Sequence, residues 1–240
     1  MKMLSFLAIG CGLLVVPAAA ETVPLSLHRP ELPVFPYELV QMGVREGSAR
    51  VALSVSPAGK LEDVLVVAYT HRPFADATVA AVRRWRFRPA QIDGQPVAAT
   101  TTVSVDFRLE GTAVISLNSS EHLIALFYRL PTDGNSFRPA LPNELDQMPV
   151  AIASPSPVWP EELAATANGR VAVEFYIDEN GQPRMPGVSE DEDPRLAALA
   201  VNALSQWRFE PPRAKGQPTV VRALQIFDFS PSARRNAPRS

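Results

Sequence analysis

The sequence predicts an α+β fold of two small domains, each a small antiparallel β-sheet with two helices. Three observations predict it. One unit occurs twice along the chain. Within each copy, apolar residues alternate at period two around hairpin-turn residues, and an Ala-rich stretch of helical period follows. The composition permits two cores: 240 residues, 46% hydrophobic and 20% charged.

The duplication is explicit. Residues 59–107 lie over residues 181–229 at a constant offset of 122 without a gap, and 14 of those 49 positions are identical. They include Trp85/Trp207, Arg86/Arg208, Phe87/Phe209, Pro89/Pro211, Gly94/Gly216 and Asp106/Asp228. Upstream, "VFPYEL" (residues 34–39) matches "VWPEEL" (residues 158–163) at an offset of 124, so the first copy carries two extra residues, near residues 44–48. The copies are bounded at 34–109 and 158–230.

Each element follows from local pattern. Pro36 and Pro160 are placed at the first position of a short helix, where the missing N–H costs nothing. Val51, Leu53 and Val55, and in the second copy Val171, Val173, Phe175 and Ile177, share one face of a half-buried strand. Residues 57–59 and Asn180-Gly181 are hairpin-turn chemistry, leading to second strands at about 61–69 and 184–188. Asp193-Pro194 gives an N-cap with Pro at the first helical position; Arg72 is a weak counterpart. Leu196, Leu199, Ala203 and Trp207 then repeat along one helical face, as do Phe74, Ala77, Ala81 and Trp85. Pro89 and Pro211 are expected to stop the helices, Gly94 and Gly216 to turn the chain, and last strands to run at about 97–109 and 219–229.

Between the copies, residues 110–157 form an inter-repeat segment. Residues 114–130 are apolar enough to be ordered, as either a hairpin or a short helix. Residues 133–157 contain five prolines and read as a linker. Residues 231–240 are polar, mildly basic and expected to be disordered.

The N-terminal segment is an address. Lys2 is followed by an apolar run at residues 4–16 and by Ala18-Ala19-Ala20 before Glu21, the pattern of a cleavable secretory signal peptide over residues 1–20. The run is short of the roughly 20 apolar residues that span a bilayer, so membrane attachment is expected only if the segment stays uncleaved. A lipoprotein site at Cys11 would have a very short apolar run before it. Cys11 is the single cysteine, which excludes a disulfide framework and a zinc-thiolate cluster. The expected location is the periplasm.

Catalytic signals are thin. His28, His71 and His122 are isolated, with no metal-ligand spacing, and read as surface or turn residues. No nucleophile elbow, P-loop or dinucleotide glycine pattern occurs. The acidic run at residues 189–193 lacks the calcium-loop rhythm and reads as a solvated, helix-capping stretch. A net charge of -2 gives no electrostatic reason to bind nucleic acid. No enzyme, metal or cofactor is expected. Trp85, Phe87, Trp207 and Phe209 have core spacing. Arg86 and Arg208 should face outward or cap a helix end.

Taken together, an aromatic-Pro before a short helix, the Ala-rich helix ending in "WRFRPA" or "WRFEPP", then "DGQPV" or "KGQPT" and a strand ending in "DF" resemble the TonB C-terminal domain family. The usual Tyr-Pro is Phe35-Pro36 and Trp159-Pro160 here. The resemblance implies two TonB C-terminal-like domains that bind protein or peptide, such as the N-terminal segment of an outer-membrane transporter, and it allows association with peptidoglycan. It implies β-strand addition to the edge of the sheet, with docking edges in the terminal strands at Thr100, Thr102, Ser104 and Asp106, and at Arg222, Leu224, Ile226 and Asp228. The energised transducers of that family carry a histidine in an uncleaved anchor and a long Pro-rich rod. Here no histidine lies in the apolar segment, and residues 21–33 would span about 40 Å even as polyproline II. The expectation is a periplasmic binding module without energy transduction. One alternative is a structural envelope protein whose repeats pair with each other or with peptidoglycan; another is an anchored transducer if residues 1–20 are retained.

Overall fold

The structure, a computed structural model, describes residues 21–110, 114–117, 135–160, 163, 169–188 and 192–230. The expected signal peptide at residues 1–20, most of the short helix expected after Pro160, most of residues 114–130 and the tail at 231–240 lie outside the described residues.

In the first repeat, a short helix α1 (Tyr37–Gln41) leads into the hairpin β3 (Glu46–Val55) and β4 (Leu61–Tyr69). Helix α2 (Arg72–Val82) and the long strand β8 (Ala99–Arg108) follow. The sheet is antiparallel, in the order β4-β3-β8, and a further strand β9 (Val114–Leu117) extends it beyond β8. The second repeat reproduces the frame with β11 (Arg170–Ile177), β12 (Pro183–Val188), helix α3 (Pro194–Ser205) and β16 (Val221–Asp228), in the order β12-β11-β16.

Period two decides which face of each sheet is covered. Val51, Leu53 and Val55 from β3 and Val103, Val105 and Phe107 from β8 form one core with Phe74, Ala81 and Val82 of α2. Val171, Val173, Phe175 and Ile177 join Leu196, Ala200, Ala203, Leu204 and Phe227 in the other. The aromatic-Pro motif plugs one end of each core. Phe35 sits edge-on to Phe74 at 5.2 Å, and Trp159 is edge-on to Phe229 at 5.0 Å. Such ring pairs contribute about 0.5–1.5 kcal/mol beyond the area they bury. Pro36 is the N-cap of α1, one position earlier than the sequence reading, with Tyr37 as the first helical residue.

The capping logic holds in α3, where the Asp193 carboxylate accepts from the Arg195 N–H at 2.9 Å and Pro194 opens the helix. In α2 the cap is His71, one residue before Arg72, and it makes no side-chain cap bond. The prolines do not end the helices. Helices α2 and α3 stop at Val82 and Ser205, well before Pro89 and Pro211, because the chain must turn to make short strands. These are β5 (Arg86–Arg88) and, in the second repeat, β13 (Arg208–Phe209). Strand β5 pairs with β2 (Ser26–His28), and β13 pairs with β10 (Ala151–Ala153). Leu27 faces Phe87, and Ala151 faces Phe209. The lead-in segment before each aromatic-Pro is thus part of the repeated unit, which begins earlier than the sequence identity does.

Beyond Pro89 and Pro211, two-residue turns at Asp93-Gly94 and Lys215-Gly216 have positive φ at both positions, the geometry that closes tight hairpins. They join β6 (Ala90–Ile92) to β7 (Gln95–Val97), and β14 (Arg213–Ala214) to β15 (Gln217–Pro218). A strand β1 (Thr22–Val23) adds to β6.

The stretch expected as a linker is ordered where it is described, because it is threaded between the repeats. Phe137 exchanges both backbone bonds with Tyr69, at 2.9 Å each, and the two rings stack at 5.4 Å. The Ala140 N–H donates to Val220 O at 2.8 Å, and the Asp146 carboxylate accepts from the N–H groups of Lys215 and Gly216. Arg138 and Glu144 form a two-pronged ion pair at 2.7 and 2.6 Å. The repeats also touch directly. Ala52, Leu65 and Val67, on the helix-free face of the first sheet, bury against Met185 and Val220 of the second repeat. Beside them Arg184 reaches across to pair with both oxygens of Asp63, and it also holds Asp178 at 3.2 Å.

Candidate functional site

A strand can join a sheet only where an edge is open, so the surroundings of the two terminal strands expected to dock a partner come first. They are equivalent in sequence and differ in surroundings.

β8 pairs along its whole length with β3. On its other side β9 lies antiparallel, with Val103 opposite Leu117, Ser104 opposite Ser116, Val105 opposite Ile115 and Asp106 opposite Val114. Over residues 103–106, then, β8 is an interior strand. Its outward-facing row is covered in the middle, while Thr100 and Asp106 at its ends stay exposed. Ser104 is buried, the Thr102 hydroxyl accepts from the buried Arg50 guanidinium at 3.0 Å, and the Thr100 hydroxyl donates to Pro186 O at 3.4 Å. Of these small polar side chains, expected to line an open edge, Thr100 reaches the second repeat, Thr102 is held by Arg50 of the first, and Ser104 is buried. Asp106 keeps an exposed carboxyl, although partial desolvation pushes its pKa up.

β16 pairs with β11 on one side from Asp228 opposite Arg170 to Val221 opposite Ile177. Among the described residues, its other side meets only a single parallel bridge, from Ala140 to Val221 at the start of the strand. The edge over residues 223–228 therefore has no neighbouring strand among the described residues. Its helix-side residues Ala223 and Phe227 pack on the core. Its outer row is Arg222, Leu224, Ile226 and Asp228, with Leu224 58% and Ile226 53% exposed. Two cross-strand ion pairs bracket the aliphatic residues: Arg222 with Glu174, and Arg170 with Asp228 at 3.5 Å. Bonds from Ser230 hold the Asp228 carboxyl below the usual range, the opposite direction to its counterpart Asp106. Among the described residues this edge thus presents two solvent-facing aliphatic side chains beside backbone groups with no strand neighbour.

The repeated W-R-F-x-P motif supports this frame and stays out of the edge. The Trp85 indole N–H donates to Glu31 O at 2.8 Å, and the Trp207 indole N–H donates to Pro155 O at 3.0 Å. Each tryptophan thereby pins the lead-in segment of its own repeat, a contact that spacing within the motif does not reveal. Phe87 and Phe209 are buried in the cores, whereas Pro89 and Pro211 follow the short strands. Arg86 is exposed on β5, and Arg208 caps the end of α3 by donating to Ser205 O and Trp207 O at 3.2 and 2.6 Å.

No group of three His, Cys, Asp or Glu able to hold a metal occurs among the described residues. His71 caps α2, His28 meets Arg88 at 3.2 Å, and His122 lies outside the described residues. Of the acidic run, Asp193 is the helix cap and Glu192 accepts from the Ala172 N–H at 3.2 Å. A cleft between the repeats is lined by Tyr69, Arg72, Phe137, Asp178 and Arg184, but its charged groups are largely spent on each other and on Asp63 and Asp76. No helix among the described residues is long and apolar enough to cross a membrane.

The sequence pattern of the family described as Gram-negative bacterial TonB protein C-terminal matches residues 31–109 and 155–231, more than half of the chain. No curated protein matches the chain significantly. Domains of this family are protein-interaction domains of the Gram-negative envelope. The two matches together cover more than half of the chain, so the chain belongs to the TonB C-terminal family and carries that domain twice in tandem.

Proposed function

We propose that this protein is an exported, periplasmic TonB-like binding module that captures an extended peptide segment by strand addition to β16, without transducing energy itself. The observation that carries the reading is the edge of β16, which has no neighbouring strand over residues 223–228 among the described residues, with Leu224 and Ile226 exposed beside it. Backbone N–H and C=O groups on such an edge lack strand partners, and an incoming strand satisfies them while the aliphatic row adds contact area. The partner is a protein with an accessible extended segment, such as the N-terminal segment of an outer-membrane transporter. Export rests on the signal-peptide pattern of residues 1–20, with Glu21 as the first mature residue.

The test is capture of envelope proteins by the chain from Glu21, compared with Gln225→Pro and Ile226→Pro. Consecutive strand N–H groups alternate sides, so one proline removes a bond to β11 and the other removes an edge donor. The variant that keeps its fold should lose the partner. An unchanged partner set in a folded edge variant, or no partner at all, sinks the reading.

A further inference from the structure

The two copies of the W-R-F motif share their buried residues and differ in surface charge. The first reads "RRWRFR" over residues 83–88 and the second "SQWRFE" over residues 205–210. Each tryptophan pins its lead-in segment and each phenylalanine enters a core, so the fold accepts either set of flanking residues. In the first copy the arginines surround a two-stranded ribbon. Strand β5 pairs with β2, with His28 opposite Arg86, Leu27 opposite Phe87 and Ser26 opposite Arg88. Leu27 and Phe87 pack on the core, which sets Ser26, His28, Arg86 and Arg88 on the other face of the ribbon. Arg88 Nη2 lies 3.2 Å from His28 Nδ1. Arg29 follows β2, and Arg83 and Arg84 stand between α2 and β5; all five arginines are exposed. Glu31 pairs with Arg84 at 3.1 Å. Among the described residues, Arg29, Arg83, Arg86 and Arg88 have no carboxylate partner.

Like charges held this close repel, which costs the folded state stability and is relieved by an anionic partner. The second copy avoids that cost. Ala153 stands opposite Arg208, whose guanidinium turns back onto the end of α3, and Glu210 takes the place of Arg88. We propose that the arginine face of the first repeat is a docking surface for an acidic, extended polypeptide segment, held through its side chains and not by backbone pairing. Arg86 and Arg88 are two residues apart on a strand, about 7 Å, and carboxylates on alternate residues of an extended chain recur at the same interval. Each guanidinium presents a planar fork that takes a carboxylate with two N–H bonds. The occupant is therefore a segment with Asp or Glu at every second position. An anionic bilayer fits less well: with these five arginines set aside, the rest of the chain is more acidic than its total of -2. That surplus repels a broad negative surface, whereas a narrow segment meets only the ribbon. The face belongs to the first repeat, so its occupancy is independent of strand addition at β16.

The experiment titrates the isotope-labelled chain from Glu21 with a synthetic peptide of alternating Thr and Glu. Its controls are the same peptide with Gln for Glu, a peptide with the same number of Glu at every third position, and phosphatidylglycerol vesicles. Amide shifts should concentrate at residues 26–29 and 83–88. The Gln form should bind about ten-fold and the every-third form about three-fold more weakly, and binding should fall as salt rises. The variant Arg83→Ser, Arg88→Glu carries the second copy's residues at both positions, so it keeps the fold. It should lose about ten-fold in affinity while its urea midpoint stays at or above that of the parent, because repulsion is relieved. Equal binding of the Glu and Gln peptides, unchanged affinity in the variant, or shifts centred elsewhere would overturn the proposal. A variant that loses stability along with binding would show the arginines to be structural and overturn it too. Binding to the vesicles with no preference among the peptides would give the face to a bilayer instead.

Discussion

Gly59 and Gly181 show how single residues fix both repeats. Each has φ near +75°, at +74° and +76°. A Cβ at Gly59 would stand 2.6 Å from Phe87 O, and one at Gly181 would stand 2.0 Å from Phe209 O. The hairpin turn thus leans on the short strand after the helix, and the Phe209 N–H donates to Gly181 O at 2.8 Å. Turn chemistry at both glycines was legible in the sequence; the close approach of a distant strand was not. Gly181→Ala should destabilise the protein by well over about 1 kcal/mol, combining backbone strain with the clash, as read from the urea midpoint. An acid limb is also built in. Arg138 holds the Glu144 carboxyl down to about 2 from an ordinary 4.5. Because the folded pKa is the lower one, this pair's contribution is complete above about pH 4.5 and is lost as pH falls toward about 2. Glu144→Gln should flatten the stability-versus-pH curve across that window in chemical denaturation.

At the scale of elements, the sheets and long helices were written in the sequence because burial of one face imposes a period. Val51, Leu53 and Val55 alternate for that reason, and Leu196, Ala200 and Ala203 recur at helical spacing. What escaped was pairing between short segments remote in sequence. Strands β2 and β10 are too short to have a period, and their partners β5 and β13 sit after the helices. Proline disfavours helix, so Pro89 and Pro211 read as helix stops, yet the chain has already left the helix to make those strands. The edge itself was half legible. Nothing in residues 97–109 signals that β9 will lie beside them, whereas Leu224 and Ile226 stand out as aliphatic residues in an otherwise polar, exposed row. Hydrogen exchange should separate the two terminal strands: amides over residues 103–106 should be protected to a higher free energy than those over residues 225–228. Equal protection would mean that the second edge is also covered.

For the whole molecule, the question is whether two homologous domains act as two sites or as one site on a platform. The repeats are joined by the small apolar cluster around Met185 and Val220, by the threaded segment near Phe137 and Ala140, and by the Arg184–Asp63 pair. Charges of this kind cross the junction without being legible in either copy alone, since Asp63 and Arg184 hold non-equivalent positions. Asp63→Ala should cost about 1 kcal/mol, the upper range for a partly exposed pair, and should loosen the coupling between repeats in a two-probe unfolding curve. The proposed binding role falls on β16, and capture of envelope proteins by the chain from Glu21, set against the edge proline variant that keeps its fold, tests it. The partner captured by the parent chain is expected to disappear with the proline at the outward N–H of β16. Retention of that partner by the folded variant would contradict it.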